Sequence, residues 1–282
     1  MMTVAGLLRT ARERLDSVSP TPALDAELLL ARVLEESPTW LKTWPEKAIS
    51  QGDSERFEVL LCRRLGGEPI AYILGSQPFW TLDLRVSPDT LIPRPETELL
   101  VETVLALMPA EAPLRVIDLG TGTGAIALAL ASERPRWHIT ACDDSAAALA
   151  VATANRDGLG LEVSLVRSDW FDRIEPQVFD VVVSNPPYIE SGDRHLSEGD
   201  LRFEPAKALV SGEDGLADIR RIVRQSAAYL AEGGLLILEH GFDQAAKVRD
   251  ILEDSGYAGI VTCRDLSGHE RATYGFRPGH SH

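Results

Sequence analysis

The sequence has only three cysteines in 282 residues, Cys62, Cys142 and Cys263, odd in number and widely separated. They build no disulfide framework and show no metal-ligand spacing, which predicts structural thiols in a reducing compartment. The six histidines form no His-Glu-x-x-His array or similar cluster, so no metal is expected. No apolar run approaches the ~18 residues of a membrane span, and charges interrupt the segment from Met1 to Arg14. No membrane partner and no secretory leader are expected, and the predicted location is cytoplasmic. Long basic runs are missing as well. Arg63-Arg64 and Arg220-Arg221 are short pairs that read as solvated helix faces. With 28 Lys+Arg against 43 Asp+Glu, the formal charge is -15. A phosphate backbone rewards clustered cations, so no direct nucleic-acid partner is expected. A protein with a basic surface suits this charge better.

The chain is long enough for one large or two modest domains. Residues 1–76 have helical spacing: Val4, Leu7, Leu8 and Leu15, then Leu24, Leu28, Leu29 and Leu30, then Phe57, Leu60, Leu61 and Leu65. Ser19-Pro20-Thr21-Pro22 and Ser37-Pro38-Thr39 break the helices. A small helical bundle is predicted, with Asp25 and Glu27 read as a solvated face. Residues 77–96 form a hairpin or linker: Phe79, Trp80, Leu82, Leu84 and Val86 mostly alternate with polar residues, and Pro88, Pro93 and Pro95 stiffen the joint into the second domain. Arg94 and Glu96 read as a structural pair in preference to cleft residues. From 97 to 282, strands at 114–118, 138–143, 162–166, 179–184 and 234–240 alternate with helices, and two more strands lie at 259–264 and 272–276. That is the α/β doubly wound, mostly parallel pattern. The long polar stretch 189–215 is expected to be a lid. The tail at His280, Ser281 and His282 is expected to be frayed.

Two motifs carry chemistry. Asp118-Leu119-Gly120-Thr121-Gly122-Thr123-Gly124 follows a short strand and precedes an apolar helix. Its glycines allow close approach of a ligand to backbone beside a helix N-terminus. Asp143, at the end of the next strand, suits ribose hydroxyls, with Asp144 its competitor. Gly120-x-Gly122-x-x-Ala125 alone also satisfies a loose dinucleotide fingerprint. The second motif, Asn185-Pro186-Pro187-Tyr188, follows the strand Phe179–Ser184. An amide, two prolines that fix the backbone and a flat aromatic face make a slot for a planar NH2-bearing group. Taken alone, the two prolines could equally end a strand and start a loop. Glu239 and His240, at a later strand end, are candidate cleft residues, with His240 better read as a satisfied structural histidine.

Together the two motifs resemble S-adenosylmethionine-dependent methyltransferases of planar amino groups. Glu68-Pro69-Ile70-Ala71-Tyr72-Ile73-Leu74-Gly75, Leu91-Ile92-Pro93-Arg94-Pro95-Glu96-Thr97-Glu98, Ser168-Asp169-Trp170-Phe171, Arg202-Phe203-Glu204-Pro205 and Leu238-Glu239-His240-Gly241 narrow the match. In this order, over almost the whole chain, the set resembles the release-factor glutamine N5-methyltransferase family. The resemblance implies a seven-stranded Rossmann-like methyltransferase sheet with its last strand antiparallel. It implies S-adenosylmethionine as cofactor, and as substrate the glutamine of the Gly-Gly-Gln tip of class 1 peptide chain release factors. Asn185, Pro186 and Tyr188 would be catalytic and, with Pro187, would hold the substrate. Gly120, Thr121, Gly122, Thr123 and Gly124 would border the methionine and sugar, Asp143 the ribose and Trp170 the adenine, with Asn185 touching both ligands. The helical segment would dock the substrate protein, and no oligomer is required. A ribosomal-protein glutamine, or the amino group of a nucleic-acid base, remains an alternative for the same slot.

Overall fold

Caps and apolar stripes account for the first five helices. Thr3 accepts the Gly6 amide and opens α1 (Val4–Leu15). Pro22 stands in the first turn of α2 (Pro22–Leu34), where its missing N–H is harmless. Ser37 caps α3 (Pro38–Thr43) and Ser50 caps α4 (Gln51–Leu65), with the short α5 (Ile70–Leu74) following. Leu7, Ala11 and Leu15 of α1 meet Leu29 and Leu30 of α2 and Phe57 and Leu61 of α4 in one apolar core. The computed structural model describes residues 2–197 and 199–279, so the tail at His280, Ser281 and His282 lies outside the described residues.

The helical unit comprises Met1–Ser76 together with Ser197–Phe203. Within it, Asp25 and Arg64 depart from expectation. Both are buried, and Arg64 Nε donates to Asp25 Oδ2 at 2.7 Å. Ser19 Oγ donates to the same oxygen at 2.7 Å, and Arg64 Nη1 reaches Asp200 Oδ1 at 3.1 Å. Helical periodicity places these residues beside the core stripe, and the packing of α2 on α4 encloses them, so each must find its partner there. Glu27 is different, pairing with the exposed Lys42 at 3.1 Å.

The second unit, Gln77–Leu196 with Glu204–His282, contains the sheet. A hairpin of β1 (Ser76–Phe79) and β2 (Leu82–Arg85) precedes a single 3-10 turn, Pro95–Thr97, and α6 (Glu98–Leu107). Arg94 pairs with Glu204 and not with Glu96, a correction. Glu96 is exposed, whereas Glu204 is buried opposite the guanidinium. Then come β3 (Arg115–Leu119), α7 (Ala125–Glu133), β4 (His138–Asp143), α8 (Ala146–Leu159), β5 (Ser164–Arg167) and β6 (Phe179–Ser184). They are followed by α9 (Ala217–Ser226), β7 (Leu230–Glu239), α10 (Ala245–Asp254), β8 (Ala258–Arg264) and β9 (Glu270–Phe276).

The sheet order is β5-β4-β3-β6-β7-β9-β8, parallel from β5 through β7, with β9 antiparallel to both β7 and β8. This is the doubly wound, mostly parallel sheet expected, with small shifts of strand ends. Alternation sorts the strand residues between two layers. Val116, Val181, Val183, Leu235 and Ile237 face α6 and α7, while Ile117, Val182, Leu236 and Leu238 face α9 and α10. The stretch 189–215 holds short 3-10 turns at Arg194–Ser197, Leu201–Phe203 and Ala206–Ala208. Its base is pinned where Ile189 N donates to Leu209 O at 2.9 Å and Ser191 N to Gly212 O at 2.8 Å. Among the described residues no helix is long and apolar enough to cross a membrane.

Candidate active site

In a doubly wound sheet, ligands bind beyond the carboxyl ends of the strands where the strand order reverses. Here β3, between β4 and β6, marks that point. The chain leaves β3 through Gly120, Gly122 and Gly124, with φ of 72°, 55° and 87°. At Gly120 a Cβ would lie 3.1 Å from Trp170 Cζ3, so an indole packs directly against bare backbone. The turn is held from beneath: Gly120 N and Thr121 N both donate to Cys142 O at 2.9 Å. Asp143 Oδ2 accepts from Gly122 N at 3.0 Å, and Thr121 Oγ1 donates to Asp118 Oδ2 at 2.6 Å. Asn155 Nδ2 donates to Thr123 O at 2.9 Å. Burial pushes the Asp118 carboxyl up to about 7 against the pull of the Thr121 hydroxyl.

Asp143 ends β4, and its Oδ1 accepts from Ser145 N at 2.9 Å. Ser145, not Asp143, caps α8 by accepting from Ala148 N. Asp144 is taken up by an ion pair with Lys207. Trp170 has φ 49°, and its Nε1 donates to Asp218 Oδ1 at 3.1 Å. Asp218 in turn accepts from Ser211 Oγ at 2.7 Å, so the indole is fixed at its polar edge. Asp169 is paired with Arg221 at 3.0 Å.

Asn185 follows β6, and its Nδ2 donates to Thr97 Oγ1 at 3.0 Å. The NH2 end of the carboxamide is thus spent on the protein, and the oxygen end is left for a ligand. Tyr188 donates its hydroxyl to Glu239 Oε1 at 3.3 Å, while its carbonyl accepts from Gln244 Nε2 at 2.9 Å. Burial pushes the Tyr188 phenol above its ordinary value, so it stays a neutral donor. Burial likewise pushes the Glu239 carboxyl up to about 7, opposed by the Thr97 hydroxyl and the Arg271 charge. His240 is buried, with Nε2 2.8 Å from Thr273 Oγ1 and Nδ1 2.9 Å from Gly241 O, as expected of a structural histidine.

A cleft of about 400 Å³ opens over these elements, lined by Gly120, Gly122, Asp143, Trp170, Asn185 and Pro187 among others. The fold therefore brings together residues of the glycine loop, the acidic strand end and the proline slot. Thr121, Thr123, Gly124, Pro186, Tyr188 and Glu239 do not line the cleft. Thr121 and Thr123 are buried beneath the turn, and Tyr188 is turned toward Glu239. The sequence reading missed Thr97, Lys207, Asp218 and Gln244. All four act through partners distant in the chain; Thr97 lies in the 91–98 motif, which does not single it out, and no local pattern marks the other three.

Two family profiles match: one described as PrmC N-terminal domain over residues 6–75, and one described as Methyltransferase small domain over residues 95–216. A protein of Pseudomonas aeruginosa named release factor glutamine methyltransferase is 55% identical, covering 91% of this chain and 93% of its own length. One of the same name from Escherichia coli is 47% identical, covering 95% of this chain and 96% of its own. Among solved structures, a T. thermophilus 16S rRNA methyltransferase in complex with AdoMet and guanosine is 20% identical with a TM-score of 0.52. It covers 72% of this chain and 49% of that one, and at this identity the likeness concerns the fold.

Proposed function

The chain belongs to the release factor glutamine methyltransferase family, and from that footing we propose that it moves a methyl group from S-adenosylmethionine to a glutamine side-chain amide nitrogen. The glutamine is that of the Gly-Gly-Gln motif in class 1 peptide chain release factors. A translation factor as substrate places the reaction in the cytoplasm. We assign residues 97–282 the chemistry, 77–96 the link and 1–76 the docking of the release factor, with one copy of the chain sufficient.

The residues at the cleft fit that cofactor. A volume of about 400 Å³ lies within the range of small-molecule sites. Gly120 leaves its backbone bare beside the Trp170 ring, room that a Cβ would fill. Gly120 and Gly122 would border the methionine and sugar, Asp143 would accept from the ribose hydroxyls, and Trp170 would cover the adenine. When bound, S-adenosylmethionine supplies an electrophilic methyl on a sulfonium and leaves as the neutral thioether.

The single observation that carries the proposal is the orientation of Asn185, whose Nδ2 is committed to Thr97. Its oxygen is then available to accept one N–H of the substrate amide. Among the described residues no backbone donor reaches the Pro186 carbonyl, which would accept the other N–H. A primary amide nitrogen is a poor nucleophile because its lone pair is delocalised. Two acceptors hold that nitrogen in line and favour the positive charge that grows on it as the new C–N bond forms. The Tyr188 ring would fix the plane of the amide. No strong base is required, since the alkylated nitrogen carries an acidic proton that solvent can take.

The deciding assay follows tritiated methyl transfer to purified release factor, to its Gly-Gly-Gln Gln→Ala variant, to ribosomal protein and to duplex DNA. Label on the wild-type factor alone is the expected result. Label on ribosomal protein or DNA instead would keep the slot and sink the substrate.

A further inference from the structure

Glu239, at the C-terminal end of β7, is 1% exposed, and its Oε2 has no hydrogen-bond partner among the described residues. A buried carboxyl with an open lone pair is costly, and this one stands behind both side chains of the substrate slot. Its Oε1 accepts from the Tyr188 hydroxyl at 3.3 Å. Thr97, itself buried, lies near enough to the same carboxyl to pull its pKa down, and its Oγ1 accepts from Asn185 Nδ2 at 3.0 Å. Arg271 of β9 and Glu96 of the preceding turn are the other charged groups that act on the carboxyl.

Donor counting decides what this arrangement does. A threonine hydroxyl has one proton to give, whereas a carboxylate only accepts. Above about pH 7, where Glu239 is a carboxylate, it can take the Thr97 proton and leave Thr97 an acceptor toward Asn185. Asn185 must then turn its NH2 to Thr97 and its oxygen to the cleft. An amide in place of the acid could donate to Thr97, freeing the hydroxyl proton for Asn185 Oδ1. The Asn185 carboxamide could then turn over and meet a substrate NH2 with its own NH2, donor against donor.

We propose that Glu239 and Thr97 are positioning residues that hold Asn185 with its oxygen toward the reacting amide, with Glu239 also tethering the Tyr188 hydroxyl behind it. The inference rests on the assignment of Asn185 as acceptor for the substrate nitrogen. It makes the slot selective for a donor group by a buried carboxyl two side chains away.

Thr97→Val, Thr97→Ser and Glu239→Gln, each close to isosteric, test it in the full chain. In proton–nitrogen NMR spectra the Asn185 side-chain amide of Thr97→Val is expected to exchange with solvent about tenfold faster than in the wild type or Thr97→Ser. In methylation assays Thr97→Val and Glu239→Gln are expected to lower kcat on the order of 30- to 100-fold, with Thr97→Ser within about threefold of wild type. The dissociation constant for S-adenosylmethionine should stay within about threefold throughout, since uniform binding is untouched. Unchanged Asn185 exchange in Thr97→Val overturns the proposal, as does wild-type kcat in both Thr97→Val and Glu239→Gln. A matching loss of cofactor affinity also overturns it, because a general loosening of the fold would then explain the fall in rate. A wild-type chain that labels no release factor sinks the functional assignment instead, and the exchange measurement still decides the positioning role.

Discussion

Single side chains set the chemistry at this site. Asn185 lines the cleft and gives its nitrogen to Thr97, and it is the residue whose oxygen we propose accepts from the reacting amide. Asn185→Ala removes an acceptor for charge that develops only during reaction, so kcat should fall about 100-fold or more. The measurement is kcat with release factor at saturating cofactor; a loss under tenfold would take Asn185 out of its role. Asp118 and Glu239 are both buried carboxyls raised to about 7. A raised value means that the folded chain holds protons the unfolded chain has lost, since unfolded carboxyls titrate near ~4. Their contribution is therefore fully present below about pH 4 and is lost as pH rises to about 7. Urea midpoints should decline between about pH 4 and about pH 7, and Asp118→Asn should flatten that decline. An equally steep decline in the variant would remove Asp118 as its source.

At the scale of elements, the strand–turn–helix from β3 to α7 brings Gly120 and Gly122 to the cleft, the end we propose for the cofactor. Gly124 has φ 87°, and a Cβ there would lie 2.9 Å from Leu128 Cδ1, in the first turn of α7. Gly122 has φ 55°, but a Cβ there would meet nothing within 4 Å. The two alanine variants should therefore differ. Gly124→Ala should destabilise the fold by about 2–3 kcal/mol, joining left-handed strain to a clash. Gly122→Ala should cost only about 1 kcal/mol yet weaken S-adenosylmethionine binding roughly tenfold, because its methyl enters the cleft. Thermal unfolding and calorimetric titration of both variants separate the two effects, and equal cofactor affinity in Gly122→Ala and wild type would contradict the placement. The hairpin contributes from a distance: Asn155 of α8 accepts from Arg85 N at 2.7 Å and donates to Thr123 O, tying β2 to the glycine turn.

For the whole molecule the dominant property is a formal charge of -15. Such a field attracts a basic protein surface and repels a phosphate backbone. Raising salt from about 0.05 to about 0.3 M should increase KM for release factor several-fold with kcat little changed, as screening shortens the range of the attraction. A salt-independent KM would show that docking is apolar. The helical unit does not rely on surface charge alone, since the buried Asp25–Arg64 pair at 2.7 Å binds α2 to α4. Removing Asp25 leaves buried Arg64 with only the half-exposed Asp200, so Asp25→Ala should destabilise by about 3 kcal/mol, and Asp25→Ala with Arg64→Met less. Urea unfolding of the single and double variants measures both effects, and equal losses would show that the stranded charge is not the cause.

The sequence by itself was enough for the glycine turn and the alternating strands, because each depends on backbone preferences within a few residues. Strand ends shifted: β7 starts at Leu230 and β9 at Glu270, since pairing with a neighbour extends a strand past its apolar run. Arg64 looked like half of a solvated basic pair until the helices closed around it. Asp218 and Gln244 carry no local signal at all, and Thr97 stood in the 91–98 motif without its role being marked. Thr97 and Asn185 stand 88 positions apart, and only the packing of the turn before α6 against the ends of β6 and β7 brings them to 3.0 Å. Which residue types can do the chemistry is a local property of the chain. Which way Asn185 points is decided by tertiary structure, because a carboxamide takes its orientation from the partners packed around it.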